Sequence, residues 1–145
     1  MEFEFTWIEP LLVDVRTSGP ASTEGFAALY EKLAAEPGFG AGVKMLSDHT
    51  DLDVSELSAE DVEKIAAARD RYVGSLDAYS ALVVGPRSPA KYGLARMFEA
   101  LAAEGRGDLV RVFETRGRRW SGCASPTRCR RLRRRNEPIP SDIRL

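Results

Sequence analysis

Hydrophobic and polar residues alternate in two short runs near the start of the chain. The apolar positions of these runs are Phe3, Phe5, Trp7, Leu11, Val13 and Val15. A period of two places successive side chains on opposite faces of a strand, so both runs predict half-buried strands. The turn residues Glu9-Pro10 are expected to join them as a hairpin, and Gly19-Pro20 to end the second strand.

Three later segments have apolar residues spaced three and four apart, which predicts amphipathic helices. In the second of them, Ser58 and Asp61 have the spacing of a capping box. In the third, Ser88 is a natural N-cap and Pro89 occupies the first helical position, where its missing N–H costs nothing. The predicted helices run from Ser22 or Thr23 to about Ala35, from Ser58 to Gly74, and from Ser88 to about Gly105.

Short apolar runs between the helices predict three more strands, at Val43–Leu46, Ala81–Val84 and Leu109–Phe113. Ala81–Val84 is apolar on both faces, which indicates a strand in the middle of a sheet. The polar residues Ser47–Asp51 are expected to follow the end of their strand. The resulting order, ββαβαβαβ, predicts an α/β fold with a mixed sheet on which the helices pack.

Composition favours one cytoplasmic globular domain without a membrane span. The chain has 145 residues, of which 43% are hydrophobic and 30% charged. The first residues are acidic and lack the basic, then apolar, pattern of a secretory signal. No run approaches the roughly 18 apolar residues of a transmembrane helix.

Charge divides the chain after Thr115. Residues 1–115 hold 11 of the 21 basic and 20 of the 22 acidic residues, whereas residues 116–145 hold ten arginines and two acids. We therefore predict an α/β domain over residues 1–115 and a disordered, arginine-rich tail over residues 116–145. Cys123 and Cys129 lie in this tail without the further ligands that a zinc site needs.

Three hypotheses account for the tail. Arginine clusters with an aromatic residue, here Trp120, can bind nucleic acid or another polyanion. The tail can instead be a solvated segment without a partner. Because Arg, Pro, Ser, Cys and Gly are what a GC-rich gene yields out of frame, a frameshift is the third hypothesis.

Three stretches of the sequence are similar to those of a known family. They are Ser18-Gly19-Pro20, Met45-Leu46-Ser47-Asp48 and, above all, Tyr92 to Phe98. With the order of elements, they resemble the STAS/SEC14-like proteins of the SpoIIAA-like superfamily over about residues 3–114. The resemblance implies a small non-catalytic regulatory module that binds a protein partner, as anti-sigma-factor antagonists do, or a domain that holds a lipid. It also makes Ser58 a weak candidate for phosphorylation, although Leu57–Asp61 lacks the family's Asp-Ser-Ser-Gly pattern.

Ligands of open α/β sheets bind beyond the carboxyl ends of parallel strands, which here precede Ser47–Asp51 and Pro86–Ser88. A helix N-terminus beside an arginine can receive an anion, although it can equally be a solvated capping turn. Arg96 can line the same surface or pair with a carboxylate. The candidate binding residues are Asp48, His49, Arg87, Ser88, Tyr92 and Arg96.

His49 is the single histidine of the chain, and Ser47 and Asp48 precede it directly. Neighbouring residues of a strand point to opposite faces, so these three do not form a catalytic triad. We expect no enzyme, no cofactor and no metal. The leading hypothesis is a regulatory or protein-interaction module that uses the surface around the second and third helices. The alternatives are a lipid or small apolar ligand between helix and sheet, and polyanion binding by the tail.

Overall fold

The computed structural model describes residues 1–74, 79–86, 88–103 and 110–115. Its elements confirm the predicted order ββαβαβαβ. They are β1 (Glu2–Glu9), β2 (Leu12–Pro20), α1 (Thr23–Ala35), β3 (Lys44–Asp53), α2 (Ala59–Tyr72), β4 (Tyr79–Val83), α3 (Pro89–Ala103) and β5 (Val110–Phe113). The chain divides by its contacts into Met1–Thr115 and Arg116–Leu145. The tail, with both cysteines, lies outside the described residues, and the hypotheses about it stay predictions.

The strands form a mixed sheet in the order β1-β2-β3-β4-β5. β1 and β2 are an antiparallel hairpin, and each later strand is parallel to the one before it. A helix connects each parallel pair, and the right-handedness of such crossovers places all three helices on one face of the sheet. In agreement, α1 packs against α2, and α2 packs against α3.

The core lies between that face of the sheet and the helices. Alternate strand residues point into it, as the period-two pattern predicts, while the helices contribute residues three and four apart. Burial of these side chains provides the main stabilisation of the fold. The core includes Val13, Val15, Met45, Leu82 and Val110 from the strands and Phe26, Leu29, Leu33, Val62, Ile65 and Phe98 from the helices.

One strand end predicted from the sequence is wrong. β2 ends at Pro20, as Gly19-Pro20 predicts, but Ser47–Asp51 is not a loop, because β3 continues to Asp53. This extension of β3 pairs with the end of β2, with Ser18 opposite Asp51 and Pro20 opposite Asp53. A proline is tolerated at the end of a strand, where its missing N–H interrupts no inner ladder bond.

Serines begin the helices where the sequence predicts. The Ser22 hydroxyl oxygen accepts a hydrogen bond from the Gly25 N–H (3.1 Å). At α2 the Ser58 hydroxyl oxygen accepts from the Asp61 N–H (3.2 Å), and the Asp61 carboxylate accepts from the Ser58 N–H (3.0 Å). These two bonds complete a capping box. The Ser58 hydroxyl, which donates to the Asp61 carboxylate (2.6 Å), and the Ser58 N–H together hold the pKa of Asp61 below its usual value.

Replacing the cap of α2 should therefore destabilise the domain. Ser58→Ala removes the acceptor of the Asp61 N–H and should lower the free energy of unfolding by about 1 kcal/mol, measured by urea denaturation. Ser58→Thr keeps a hydroxyl at the same atom and is the control. Equal stability of Ser58→Ala and the parent chain would show that the Ser58 hydroxyl contributes nothing to the cap.

Candidate functional site

A mainly apolar pocket opens between the three helices and the carboxyl-terminal parts of β3 and β4. The cavity itself is small, about 60 Å³, and it opens to solvent. Its walls include Phe26 of α1, Val62 and Ile65 of α2, Leu82 of β4, and Leu94 and Phe98 of α3.

His49 contributes a polar group to this apolar pocket. Its side chain is only 8% exposed, and its Nδ1 lies 2.7 Å from the Thr17 hydroxyl oxygen. The His49 and Phe26 rings meet in a T-shaped arrangement, with their centroids 5.8 Å apart. Within the described ranges, no residue bonds the second ring nitrogen, Nε2. Burial lowers the pKa of His49 to about 4; Asp48 opposes this shift and Lys91 adds to it.

Lys91 lies in the first turn of α3 and joins that helix to β3. Its Nζ donates to the backbone carbonyl oxygens of His49 (3.1 Å) and Thr50 (2.9 Å). β4 pairs with β3 only as far as Asp48, so these are the next two carbonyls along the strand. The ammonium therefore bonds backbone beyond the point where the neighbouring strand has ended.

Gly85 forms the turn that makes this contact possible. It follows β4 with a φ of 79°, a conformation that favours glycine. A Cβ at this position would lie 3.1 Å from the Thr50 Cγ2. The chain can thus turn closely over the end of β3 before α3 begins.

Tyr30 and Arg69 show how deeply polar groups are buried in this part of the domain. Tyr30 lines the pocket, and burial raises the pKa of its hydroxyl, while Arg69 acts in the opposite direction. Arg69 is only 1% exposed, and its Nη1 lies 3.6 Å from the Asp70 Oδ1. The sequence places Arg69 on the apolar face of its helix, and the structure buries it there.

Of the candidate binding residues, His49 alone lines the pocket among those that the structure describes. Asp48 precedes it on β3 and faces the other side of the sheet, where its carboxylate accepts a hydrogen bond from the Thr50 N–H (3.0 Å). Ser88 caps α3 through the Lys91 N–H (3.4 Å). Arg87 lies outside the described residues.

Tyr92 and Arg96 lie on the exposed side of α3, one turn apart. Tyr92 is 38% exposed. The Arg96 guanidinium pairs with the buried Glu99 carboxylate, to which Arg111 also donates (3.0 Å). Arg96 thus has the carboxylate partner that was one of its two expected roles, and it remains more than half exposed.

Lys91 and Thr17 were not identified as site residues from the sequence. Lys91 carried a signal, because the first turn of a helix favours acidic residues and α3 has none there. A cation in that position suggests a role outside its own helix. Thr17 carried no such signal, since threonine is common in strands.

The candidate phosphorylation site, Ser58, lies on the surface at the start of α2. Its hydroxyl lies 2.6 Å from the Asp61 carboxylate, so a phosphate there would face an acid and break the capping box. Modification of Ser58 would therefore alter the start of α2. Phosphorylation itself stays a prediction.

Neither a metal centre nor a membrane span is found in the described part of the chain. It contains no group of three or more His, Cys, Asp or Glu side chains that could hold a metal ion. The helices in those same ranges are too short or too polar to cross a bilayer.

Comparisons with known proteins give one likeness. No sequence profile of a known family matches the chain, and no curated protein does so. The chain is similar to the solved structure of the anti-sigma factor antagonist SpoIIAA in its unphosphorylated form. The TM-score is 0.49 at 15% identity, over 77% of this chain and 88% of that one.

The buried histidine should make stability depend on pH. Because the pKa of His49 is about 4 in the folded chain and 6.5 when unfolded, the unfolded state binds the proton first as pH falls. His49 should thus cost the fold on the order of 3 kcal/mol between pH 6.5 and pH 4, and nothing above that window. Urea denaturation of the parent chain and His49→Gln across this range measures the difference.

An NMR titration gives an independent check, since His49 is the single histidine of the chain. Its imidazole signals should stay those of the neutral ring down to about pH 4. A midpoint near 6.5 would show that the ring is solvated, and would contradict its burial in the pocket.

Proposed function

We propose that this chain is a non-enzymatic binding module whose pocket holds a small, mainly apolar ligand. The observation that carries the proposal is the pocket itself, with apolar walls from three helices and the sheet and few polar groups. Sites for small molecules have this composition, in which apolar walls supply affinity and a few polar groups orient the ligand. The pocket also lies near the carboxyl ends of β3 and β4, where ligands of parallel sheets bind.

The geometry around His49 argues against catalysis. Thr17 and His49 are paired as a nucleophile and base would be, but a histidine with a pKa of about 4 is a weak base at neutral pH. The neighbouring acid, Asp48, faces the other side of the sheet and cannot orient the ring. The pair therefore suits a fixed binding surface better than proton transfer.

Filling the pocket should weaken the binding of an apolar probe. Ala95 of α3 lines the pocket, whereas Ala100 of the same helix is exposed. The neutral fluorophore N-phenylnaphthylamine should brighten on binding to the parent chain, and Ala95→Phe should weaken its binding about tenfold or more. Ala100→Phe adds the same ring to the surface and should bind as the parent does.

Thermal denaturation of both variants distinguishes loss of the pocket from loss of the fold. Binding by a folded Ala95→Phe chain as tight as that of the parent would contradict the proposal. So would a parent chain that does not bind the probe at all.

A regulatory or protein-interaction role is the second candidate. It is favoured by Tyr92, which is one of three large apolar side chains that are clearly exposed among the described residues, and by its neighbour Arg96. Exposed tyrosine and arginine are typical of the central residues of protein interfaces. This surface lies on α3, one of the two helices that the sequence-based hypothesis assigns to partner binding.

Replacing the exposed aromatic side chain of this surface by an acidic one tests the second candidate function. A protein partner captured by the full chain from a host lysate should be lost on Tyr92→Glu and retained on Ala35→Glu, which adds the same charge to an exposed position of α1, measured by quantitative mass spectrometry. Retention by both variants would place the partner's binding elsewhere. Washing at high salt removes material held only by the arginine-rich tail.

A further inference from the structure

Two polar groups at the pocket have hydrogen-bonding capacity that the described residues do not use. His49 Nε2 has no partner there, although its side chain is more than nine-tenths buried. The Lys91 ammonium has three protons, and two are donated to backbone carbonyls. We propose that the pocket takes a monocarboxylic acid with an apolar body, whose carboxylate is bound by His49 Nε2 and Lys91. This inference rests on the proposed function.

The contact with Thr17 indicates which nitrogen of the neutral His49 ring carries the proton. The Thr17 hydroxyl has one proton, and the nearer acceptor is His49 Nδ1 at 2.7 Å, compared with the Asp48 carbonyl oxygen at 3.4 Å. When Thr17 donates to Nδ1, the neutral ring carries its own proton on Nε2. Nε2 then offers the pocket a donor, which an anionic oxygen accepts.

The charge at the pocket favours a single negative charge on the ligand. Lys91 is cationic, and no acidic residue lines the pocket within the described ranges. In the same ranges, no carboxylate lies within ion-pair distance of its Nζ. The exposed Asp53 carboxylate does act on the ammonium from outside the pocket, since Lys91 contributes, after the hydrogen bonds from Ser55, to the lowered pKa of Asp53. Lys91 is also in the first turn of α3, whose N-terminal dipole favours an anion. The pocket thus offers one ammonium (Lys91), one neutral donor (His49 Nε2) and apolar walls. This set of groups matches a monocarboxylate better than a neutral lipid or a dianion.

The distribution of these groups sets the orientation of the ligand. Lys91 bonds the end of β3, whereas Phe26, Val62 and Phe98 surround the interior of the pocket. An apolar body covered by these side chains leaves water, and its burial stabilises the complex. The carboxylate is then held beside Lys91 and His49, at the carboxyl ends of the strands.

Three probes that share one apolar body test the head group directly. Octanoate, octanol and octylammonium can be titrated into the full chain by calorimetry. Octanoate should bind most tightly and octylammonium most weakly. Lys91→Met should reduce the affinity for octanoate about tenfold, to near that of octanol, and should leave octanol unchanged.

Variants of two lysines separate this effect from general loss of charge. Lys91→Arg keeps a cation and should retain most of the preference for octanoate. Lys64→Met removes a lysine that pairs with Glu60 on the surface of α2 and should change nothing. Thermal denaturation shows whether Lys91→Met remains folded without its bonds to β3.

The single histidine provides a readout that does not depend on substitutions. In a long-range ¹H–¹⁵N spectrum the free ring should carry its proton on Nε2, and octanoate should shift that nitrogen more than octanol does. A ring protonated on Nδ1 in both the free and the bound chain would overturn the assignment of the donor.

The outcomes separate this inference from the proposed function. Equal binding of octanoate and octanol, unaffected by Lys91→Met, would overturn the carboxylate and leave an apolar pocket in place. Binding of none of the three probes, together with no response of N-phenylnaphthylamine, would overturn both.

Discussion

The site depends on the continuation of β3 beyond the end of β4. β4 pairs with β3 only to Asp48, yet β3 extends to Asp53 because it also pairs with the end of β2. This extension carries His49 over the core and leaves the His49 and Thr50 carbonyls for Lys91. Without it, α3 would have no bond to the strand at this end, and the pocket would lack its polar side.

The architecture could be predicted from the sequence because its signals are local. Ser22, Ser58 and Ser88 each precede an apolar stripe with helical spacing, and a side chain that caps a helix acts within one turn. The alternation of Phe3, Phe5 and Trp7 similarly needs no information from elsewhere in the chain. The order of strands then follows from the rules for short, right-handed connections.

The end of β3 could not be predicted in the same way. Ser47–Asp51 is polar, and polarity in a short segment usually indicates a loop. Here Thr17 bonds His49 across the two strands, so the Nδ1 of this buried residue has its partner 32 positions away. The pocket has the same origin, because its walls come from α1, α2, α3 and two strands. The one sequence signal for the pocket is Lys91, because a cation is unfavourable in the first turn of a helix.

The pocket and the outer surface of α3 belong to the same helix, so the two candidate functions are physically linked. Leu94 and Phe98 line the pocket, while Tyr92 and Arg96 face outward. A ligand that favoured one position of α3 would change the affinity of a partner bound to its outer side, and the partner would change the affinity for the ligand by the same factor. The bonds of Lys91 to β3 oppose movement at the start of this helix. A ligand carboxylate bound by the Lys91 ammonium would therefore affect the contact that holds α3 to β3.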